Sequence, residues 1–425
     1  MHIYFSGMGG TGIGPLALIA HEAGCTVSGS DKKSSKYTEY LKTKGLNVHI
    51  GQQDDSFIRK TNANQQIDWF VYSSALPLEQ PNHPELVFVK ENGLRNSKRD
   101  IFLSNFLDEK KLKLIAVAGT HGKTTTTAML VWAFLKLNIP VSYSIGAKTN
   151  FSEMGHYDKN SQYFIYECDE FDKNFLSFKP YYSLISSIDW DHHEIYPTRD
   201  LYKSAFRQYI DQSSHTILFD KARKYLGLDI NHKLITINNN DNLVNSIKLA
   251  GQHNRENARL CIELLKYLTN KPSDSSVKIL NNFPGTSRRF EKLSHNVYSD
   301  YAHTPEEIKA TIQMALEISK NVMVVYEPLT NRRQYYMKNQ YYDVFNGVET
   351  IYWVPSYLAR EDPDIEIIHP AELIECLENK QIAQPAILDD QLMSNIKSYA
   401  QNNGIVLLLA GGGGGSLDEW ARANL

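Results

Sequence analysis

A glycine turn, a lysine and a run of threonines stand together in IAVAGTHGKTTTTAML, residues 115–130. The apolar start predicts a strand, and the threonine run predicts the first turn of a helix. At such a junction, backbone N–H groups and the helix N-terminus bind phosphate, and Lys123 supplies positive charge for β- and γ-phosphates. The usual eight-residue loop has a glycine where Val117 stands, so the match is to a shorter G-T-x-G-K-T form. The segment predicts ATP-type phosphate binding, with Thr124 placed for Mg²⁺; a glycine turn without a ligand is the alternative.

Acidic and histidine residues follow two further predicted strands. Glu167 ends the strand in YFIYECDEFD, and SLISSIDWDHHEIYP carries, after its strand, Asp189, Asp191, His192 and His193. Ligands bind at strand ends in open α/β sheets, so both clusters are expected to approach the phosphate loop. Mg²⁺ prefers carboxylate, water and phosphate oxygens, which suits Glu167. A lone histidine is more often structural, and His192 is a candidate metal ligand because acidic residues lie beside it.

Another glycine turn lies near the start of the chain. FSGMGGTGIG fits G-x-G-x-x-G at Gly7, Gly9 and Gly12, after a predicted strand and before a predicted helix. Asp31 ends the next strand in TVSGSD, so the pattern alone predicts dinucleotide binding with Asp31 at a ribose hydroxyl. The same backbone geometry suits other nucleotide diphosphates, and a purely structural turn is a third alternative. A nicotinamide-dependent dehydrogenase would use this turn but would leave AGTHGKTTT unexplained.

Three stretches of the chain alternate predicted strands with amphipathic helices, which indicates α/β units built on parallel sheets. The charged segment LDEKKLK and the turn cluster NNFPGTS separate the stretches. The predicted domains are therefore 1–108, 109–284 and 285–425. In the third stretch, the predicted strands lie in VYSDYAH, NVMVVYEP, TIYWVP, IEIIH and IVLLLAG.

The composition fits a globular protein of several domains. Of 425 residues, 42% are apolar and 22% are charged, which excludes disorder as the main state. A formal net charge of −3, without a long Lys/Arg block, disfavours a nucleic-acid surface. The 4 cysteines lie apart in the sequence, which fits a reducing compartment. The start carries no secretion signal and the apolar runs are far shorter than the roughly 20 residues that span a bilayer, so we expect a cytoplasmic protein that binds no membrane.

Taken in order, the motifs resemble those of the Mur ligase family. The set is the N-terminal glycine turn, AGTHGKTTT, ECDEFD, DWDHHEIYP, GQHNRENA, GTSRRFE and SDYAHTPEEIKATI, spread over nearly the whole chain. The resemblance implies an N-terminal Rossmann-like domain for a uridine nucleotide, a central P-loop ATPase domain and a C-terminal Rossmann-like domain. It also implies a ligase that uses ATP and Mg²⁺. Within the family, the segments MGGTGIGPLALIAHEAGCTVSGSD and VYSSALPLEQPNHPELVFVKENG most resemble the alanine-adding branch. Enzymes of that branch join L-alanine to the lactyl carboxylate of UDP-N-acetylmuramate (UDP-MurNAc) through an acyl phosphate.

The resemblance assigns site residues motif by motif. The residues for UDP-MurNAc would be Gly9, Gly10, Thr11, Gly12, Asp31, Ser73 and Ser74. Those for ATP would be Gly119, Thr120, His121, Gly122, Lys123, Thr124, Thr125, His253, Asn254, Asn257, Arg289 and Asp300. The metal would be held by Thr124, Glu167 and His192, and the amino acid by Tyr301, His303 and Arg333. The catalytic residues would be Lys123, Glu167, His192 and His303.

Some positions depart from the pattern of the family or of its alanine-adding branch. Gln52 stands where a histidine usually meets the uridine nucleotide, and Ser187 stands where asparagine is usual. EPLTNRR replaces H-R-Y-T-R, and EP-x-T-N together with AGGGGG resembles the cell-wall recycling branch, which attaches L-Ala-D-Glu-meso-diaminopimelate to the same nucleotide. This tripeptide is therefore the alternative acceptor. The expected partners are small molecules only, bound by a monomer or homodimer.

Overall fold

The computed structural model describes residues 1–192, 195–269, 272–358, 361 and 364–425, so His193 lies outside the described residues. Within that part, the chain divides into two compact units. Unit 1 comprises Met1–Ser246 and Asn257–Pro284, and unit 2 comprises Ile247–Glu256 and Gly285–Leu425. The predicted domain boundaries stay a prediction.

Unit 1 begins with a five-stranded parallel sheet in the order β3-β2-β1-β4-β5. Its strands are β1 (His2–Ser6), β2 (Thr26–Asp31), β3 (Asn47–Ile50), β4 (Trp69–Tyr72) and β5 (Asn96–Lys98). Its helices are α1 (Gly14–Glu22), α2 (Lys36–Thr43), α3 (Ser56–Asn64), α4 (Ala75–Glu79), α5 (Pro84–Glu91) and α6 (Arg99–Lys110). The strands β2 and β3 extend the sheet on one side of β1, and β4 and β5 extend it on the other. At such a switch point a crevice opens at the carboxyl end of β1, where the N-terminal glycine turn lies.

Unit 1 also holds a seven-stranded sheet in the order β12-β11-β10-β6-β9-β7-β8, in which only β8 is antiparallel to its neighbour. Its strands are β6 (Lys113–Ala118), β7 (Ser142–Ser144), β8 (Gly155–His156), β9 (Tyr163–Glu167), β10 (Tyr182–Ile185), β11 (His215–Phe219) and β12 (Leu234–Ile237). The helices are α7 (Lys123–Lys136), α8 (Arg199–Gln212), α9 (Asp220–Leu226), α10 (Asn242–Ser246), α11 (Gln252–Thr269) and α12 (Ser273–Leu280), with a 3₁₀ helix over Phe171–Ser177. The first turn of α11 belongs to unit 2. The strand interiors are almost wholly buried and apolar, as expected for a parallel sheet covered on both faces.

Unit 2 is built on a six-stranded sheet in the order β13-β14-β18-β15-β16-β17, parallel except for β13. Its strands are β13 (Glu291–Ser294), β14 (Val297–Asp300), β15 (Val322–Glu327), β16 (Thr350–Trp353), β17 (Ala383–Pro385) and β18 (Ile405–Ala410). The helices are α13 (Pro305–Leu316), α14 (Asn331–Met337), α15 (Pro370–Ile374), α16 (Asp390–Gln401) and α17 (Leu417–Asn424), with 3₁₀ turns at Lys338–Gln340 and Lys380–Ile382. A capping box between Thr304 and Glu307, followed by Pro305 at the first turn, starts α13 directly after β14.

The predicted α/β class with three sheets is confirmed, but the strand predicted in IEIIH is wrong. Residues 365–369 form no strand, because the Asn331 side chain makes hydrogen bonds with backbone groups of this segment. Asn331 Oδ1 accepts from Ile368 N at 2.9 Å, and Asn331 Nδ2 donates to Glu366 O at 2.9 Å. In the part of the chain that the structure describes, every helix is too short or too polar to span a bilayer.

Candidate active site

The phosphate loop lies between the two strands whose ends carry the acidic and histidine residues. In the sheet, β6 pairs with β10 on one side and β9 on the other, and α7 begins at Lys123. Gly119 and Gly122 have φ of +133° and +79°, which residues with a side chain rarely adopt. A Cβ at Gly119 would lie 2.5 Å from Ser186 Oγ. The tight turn into the helix therefore requires glycine at both positions.

The segment after β10 holds this loop in place. Ser187 Oγ accepts from His121 N at 2.9 Å, and Ser187 O accepts from Thr120 N at 3.1 Å. Thr120 Oγ1 donates to Asp189 O at 2.7 Å and lies 2.7 Å from Tyr202 OH. Ser187, which departs from the family pattern, thus supports the loop backbone directly.

Lys123 Nζ lies over this loop and is ion-paired. It donates to Gly119 O at 2.7 Å and lies 2.8 and 3.1 Å from the two carboxylate oxygens of Glu170. The Lys123 side chain is 13% exposed and that of Glu170 only 1%. Burial alone would lower the pKa of Lys123, but the surrounding carboxylates, Glu170 foremost, raise it above its ordinary value. The lysine is therefore held charged at the start of α7.

Potential metal ligands meet beside this ion pair. Asp169, Glu170 and His192 each offer one ligand atom, and these atoms lie within 4.8 Å of one another. His192 Nε2 is 3.6 Å from Glu170 Oε1 and 3.9 Å from Asp191 Oδ2. Burial lowers the pKa of His192, but the hydrogen bond to Glu170 and the charge of Asp191 raise it overall. Burial raises the pKa of Glu170, but Lys123 and His192 bring it below its ordinary value.

Glu167 ends β9, as predicted. Its carboxylate packs against Gly146, where a Cβ would lie 2.6 Å from Oε2. The charge of Glu167 is among those that raise the pKa of Lys123. Thr124 is buried in the first turn of α7, and Thr125 beside it is half-buried. The structure therefore brings Glu167 within electrostatic reach of Lys123.

Glu170 is a contact of Lys123 that the sequence did not single out. It lies three residues beyond Glu167 in ECDEFD, and this acidic run was the available signal. A 3₁₀ turn follows, in which Asp172 and Lys173 have left-handed φ of 54° and 57°. The backbone path after the strand end decides which carboxylate faces the loop, and sequence spacing alone does not determine it.

The predicted adenine residues are divided between the two units. In unit 1, Asn257 is 4% exposed and contacts the phosphate loop, because a Cβ at Gly122 would lie 2.7 Å from Asn257 Nδ2. In unit 2, Asn254 Nδ2 donates to Ala250 O at 3.0 Å. Burial lowers the pKa of His253 to about 4, so its imidazole is neutral at neutral pH.

The N-terminal glycine turn lies between β1 and α1, as predicted, and Asp31 holds it. Asp31 Oδ2 accepts from Gly9 N at 2.7 Å, and Oδ1 accepts from Lys33 N at 3.1 Å. Gly10 N donates to Gly7 O at 3.1 Å, which closes the turn. The Asp31 carboxylate is therefore engaged with backbone, and its contact with a ribose hydroxyl stays a prediction.

Arg99 lies against the same turn. A Cβ at Gly12 would lie 1.7 Å from Arg99 Nη1, and Arg99 Nη2 is 3.7 Å from Asp169 Oδ2. Thr11 is exposed, whereas Ser73 is half-buried and Ser74 is buried near the end of β4. The guanidinium thus lies between the glycine turn and the acidic segment after β9, all within unit 1.

Unit 2 carries the residues predicted for the amino acid. His303 Nδ1 lies 3.1 Å from Glu307 Oε2, and the His303 ring is edge-on to Tyr301 with centroids 5.3 Å apart. The guanidinium of Arg289 lies 5.2 Å from the centre of the Tyr301 ring. Arg333 is half-buried on α14.

Asp300, predicted for ATP, is almost wholly buried at the end of β14. Its two oxygens accept from Phe290 N at 2.7 Å and Ala302 N at 2.8 Å. Burial raises the pKa of Asp300, and the charge of Arg289 opposes that rise. In this structure the carboxylate holds the backbone on both sides of β14.

The chain matches two family models in succession. Residues 2–111 match the Mur ligase family, catalytic domain, and residues 117–223 match the Mur ligase middle domain. The UDP-N-acetylmuramate–L-alanine ligase of Clostridium perfringens is 31% identical, with 84% of each chain covered. That of Clostridium beijerinckii is 30% identical, with 89% of this chain and 88% of the relative covered.

Two solved structures share the fold at low identity. The UDP-N-acetylmuramate-alanine ligase of Thermotoga maritima has a TM-score of 0.75 and 22% identity, covering 100% of this chain and 98% of that one. A murein peptide ligase from Psychrobacter arcticus has a TM-score of 0.63 and 22% identity, with the same coverage. With relatives above 30% identity over most of both chains and two matching domains in order, the chain belongs to the Mur ligase family.

Proposed function

We propose that this protein joins L-alanine to the lactyl carboxylate of UDP-MurNAc at the expense of ATP, in peptidoglycan precursor synthesis. The curated relatives that carry the name of this activity support the proposal, since they resemble the chain over most of its length. The observation that carries it is the charged Lys123 at a glycine loop, flanked by strand ends that bring carboxylates and His192 together.

The chemistry explains why such a site is needed. A carboxylate is a poor acyl donor, so ATP first transfers its γ-phosphoryl group to a carboxylate oxygen, and ADP leaves. The amine nitrogen of the acceptor then attacks the acyl carbon, inorganic phosphate departs, and the nitrogen loses a proton. Charge on the transferring phosphoryl group must be stabilised, and water must be kept from the acyl phosphate.

Lys123 would supply one of these positive charges. Its ammonium points back onto the loop carbonyls and onto Glu170. Binding of ATP would then exchange the Glu170 carboxylate for phosphate oxygens, with the lysine remaining charged throughout. Glu170 would act as the counter-ion that keeps Lys123 in place while the loop is empty of phosphate.

The donor set fits a divalent cation. Thr124, Glu167 and His192 would hold Mg²⁺. Of these, His192 has a ligand atom within 4.8 Å of those of Asp169 and Glu170, which offer further oxygens. When bound, Mg²⁺ supplies positive charge against the phosphate oxygens of ATP. The residues of this chain would place the cation at the strand ends that flank the phosphate loop.

The remaining predicted residues receive matching roles in the proposal. In unit 1, the turn at Gly9, Gly10, Thr11 and Gly12, with Asp31, Ser73 and Ser74, would bind the uridine nucleotide. His253, Asn254 and Asn257 would bind the adenine of ATP. Arg289 would bind its phosphate and Asp300 its ribose. Tyr301 and Arg333 would bind the amino acid, and His303, whose Nδ1 lies 3.1 Å from Glu307 Oε2, would take the proton of the attacking amine.

Ligation of the tripeptide L-Ala-D-Glu-meso-diaminopimelate to the same nucleotide is the second candidate. EP-x-T-N after β15 and the glycine run after β18 favour it. Both segments follow carboxyl ends of strands in unit 2, where the acceptor residues are also predicted.

An acceptor screen tests the proposal. Purified protein, ATP, Mg²⁺ and UDP-MurNAc are incubated with L-alanine, glycine, L-serine or the tripeptide, and ADP release is measured. ADP release that needs both UDP-MurNAc and L-alanine supports the alanine reaction. Release with the tripeptide alone would support the recycling reaction, and release with no acceptor would contradict amide ligation.

A further inference from the structure

The carboxylate of Glu317, at the carboxyl end of α13, binds the start of α11 within unit 2. Its Oε2 accepts from Gly251 N at 3.0 Å and from Arg255 Nη1 at 2.9 Å, and its Oε1 accepts from Arg255 Nη2 at 2.8 Å. The guanidinium meets both carboxylate oxygens, which fixes the orientation of the pair as well as its distance. One carboxylate therefore joins two positions of GQHNRENA to a different helix.

This carboxylate is ionised at neutral pH. The hydrogen bond from Arg255, against the opposing effect of burial and with those from Gly251 and Gln313, lowers the pKa of Glu317 to about 2. The side chains of Glu317 and Arg255 are 30% and 18% exposed, so the ion pair is partly shielded from water. A bidentate pair of this kind contributes more than an ordinary surface ion pair does.

Two neighbours of Glu317 on α13 bind the same segment. Gln313 Oε1 accepts from Gln252 N at 3.2 Å, and Gln313 Nε2 donates to Glu317 Oε1. Met314 Sδ accepts from Asn254 Nδ2 at 3.3 Å. Positions 313, 314 and 317 share one face of a helix. These three side chains form a platform on which residues 251–255 lie.

The segment on this platform carries His253 and Asn254. Gly251 has a φ of +83°, and a Cβ there would lie 2.8 Å from His253 Cε1, so the imidazole packs against the bare Cα. Within the residues that the structure describes, His253 Nδ1 is shut off from solvent and has no hydrogen-bond partner. A polar atom left in this way calls for a partner from outside the chain.

We propose that Glu317 is a positioning residue for recognition of the base of ATP. It acts through the backbone of Gly251 and the guanidinium of Arg255, and so fixes the two side chains that lie between them. This inference rests on the proposed function, in which GQHNRENA binds adenine. Side chains that read a base must be held to within about 0.5 Å, which requires supporting contacts of this kind.

Kinetic measurements with two nucleotides test the proposal. Release of inorganic phosphate is measured with UDP-MurNAc and the acceptor that the native chain uses, while ATP or inosine triphosphate (ITP) is varied. ITP keeps the ribose and phosphates but carries an oxygen in place of the adenine amino group. The native chain is compared with Glu317→Ala, Glu317→Gln and Arg255→Ala. The matched control is Asp343→Ala, which removes the 2.8 Å ion pair between α13 and Asp343 without touching residues 251–255.

We expect Glu317→Ala to raise the KM for ATP by about tenfold, the scale of a lost hydrogen bond to a charged group, with the KM for UDP-MurNAc unchanged. The preference for ATP over ITP, taken as the ratio of kcat/KM values, should fall because displaced side chains no longer distinguish the bases. Glu317→Gln keeps an oxygen acceptor for Gly251 N and should recover part of the preference. Asp343→Ala should behave as the native chain does.

A merely structural role of Glu317 would lower the melting temperature and impair the use of ATP and ITP alike. An unchanged ATP preference in both Glu317→Ala and Arg255→Ala would therefore overturn the inference. Arg255→Ala carries the test even if Glu317→Ala unfolds, since it removes the ion pair but leaves the bond from Gly251 N in place. Equal use of ATP and ITP by the native chain would also contradict the inference.

These outcomes leave the proposed function intact, because each is read from a chain that performs the ligation. Absence of phosphate release by the native chain with UDP-MurNAc and every acceptor tested would instead contradict the proposed function itself.

Discussion

The ammonium of Lys123 lies 2.8 Å from Glu170 Oε2, in an ion pair whose carboxylate side is almost wholly buried. The lysine opens α7, and the glutamate follows the neighbouring strand β9 after a turn. Both charges are shielded from water, and the attraction of the partner charge is the main interaction that offsets the desolvation of each. Loss of either partner therefore affects both the stability of unit 1 and the phosphate loop.

Removing one partner of this ion pair should lower the free energy of unfolding more than removing both partners. We expect Lys123→Met to lower the free energy of unfolding by about 3 to 5 kcal/mol, because it leaves Glu170 buried without its counter-ion. The double variant with Glu170→Gln should recover part of that loss. Urea unfolding of the native chain, both single variants and the double variant measures the coupling. Strictly additive single effects would show that the two side chains do not interact.

Lys123 should also be required for turnover. We expect Lys123→Met to reduce the rate of ADP release by about 10² to 10³-fold, as removal of one group that stabilises transition-state charge does. The control is Lys136→Met in the last turn of the same helix, where the side chain is exposed. That variant should keep the native rate. Equal rates for the two variants would remove Lys123 from the mechanism.

Gly122 should tolerate no side chain. Its φ of +79° alone makes alanine unfavourable by about 1 to 2 kcal/mol, and the added Cβ would also collide with the Asn257 side chain at 2.7 Å. We expect Gly122→Ala to raise the KM for ATP at least about tenfold, because the loop backbone must move.

The matched control for this substitution is Gly24→Ala. Gly24 has a similar φ of +89°, but a Cβ there has no atom within 4 Å. It should lose a comparable amount of stability and keep the native KM for ATP. A control variant that impairs ATP use as strongly would show that general instability causes the effect.

Two adjacent arginines allow a paired test of acceptor binding. Arg333 is half-buried on α14, whereas Arg332 is exposed. We expect Arg333→Ala to raise the KM for the amino acid by about 10-fold or more, the scale of a lost charged hydrogen bond, with the KM for ATP unchanged. Arg332→Ala should change neither constant by more than about twofold. Initial rates over a range of L-alanine concentrations distinguish these outcomes.

Much of the candidate site could be predicted because its signals are local. The strand, glycine turn and Lys123 occupy consecutive positions, so the geometry of the phosphate loop follows from one short segment. The same holds for the N-terminal turn and for Asp31 at the end of β2. Glu167 at the strand end was likewise readable from the apolar run before it.

Contacts that depend on backbone path or tertiary packing could not be read in this way. Glu170, which lies between the end of β9 and the left-handed residues Asp172 and Lys173, contacts Lys123. The Glu85 carboxylate on α5 and the Gln52 amide beyond β3 come from different elements, and the hydroxyls of Ser6 and Ser30 bridge them. The strand predicted at 365–369 is absent for a similar reason, since the Asn331 side chain makes hydrogen bonds with the backbone groups that would pair with a neighbouring strand.

His253 should make unit 2 sensitive to acid. Burial lowers its pKa to about 4 in the folded chain, whereas an unfolded histidine titrates near 6.5. Above about pH 6.5 the imidazole is neutral in both states and pH has no effect through this group. Between about pH 6.5 and 4 the unfolded chain binds a proton that the folded chain does not, so the free energy of unfolding falls as the pH falls. Below about pH 4 both states bind it and the loss through this group stops growing.

Replacing His253 by glutamine should therefore flatten the decline. Each pH unit in the window is worth up to about 1.4 kcal/mol, so the variant should lose about 1 to 2 kcal/mol less than the native chain between pH 7 and pH 5. Urea unfolding followed by circular dichroism at these two pH values measures the difference. His295→Gln, at an exposed position of the same unit, is the control and should decline as the native chain does. Parallel declines for all three proteins would show that the pKa of His253 is not lowered in the folded chain.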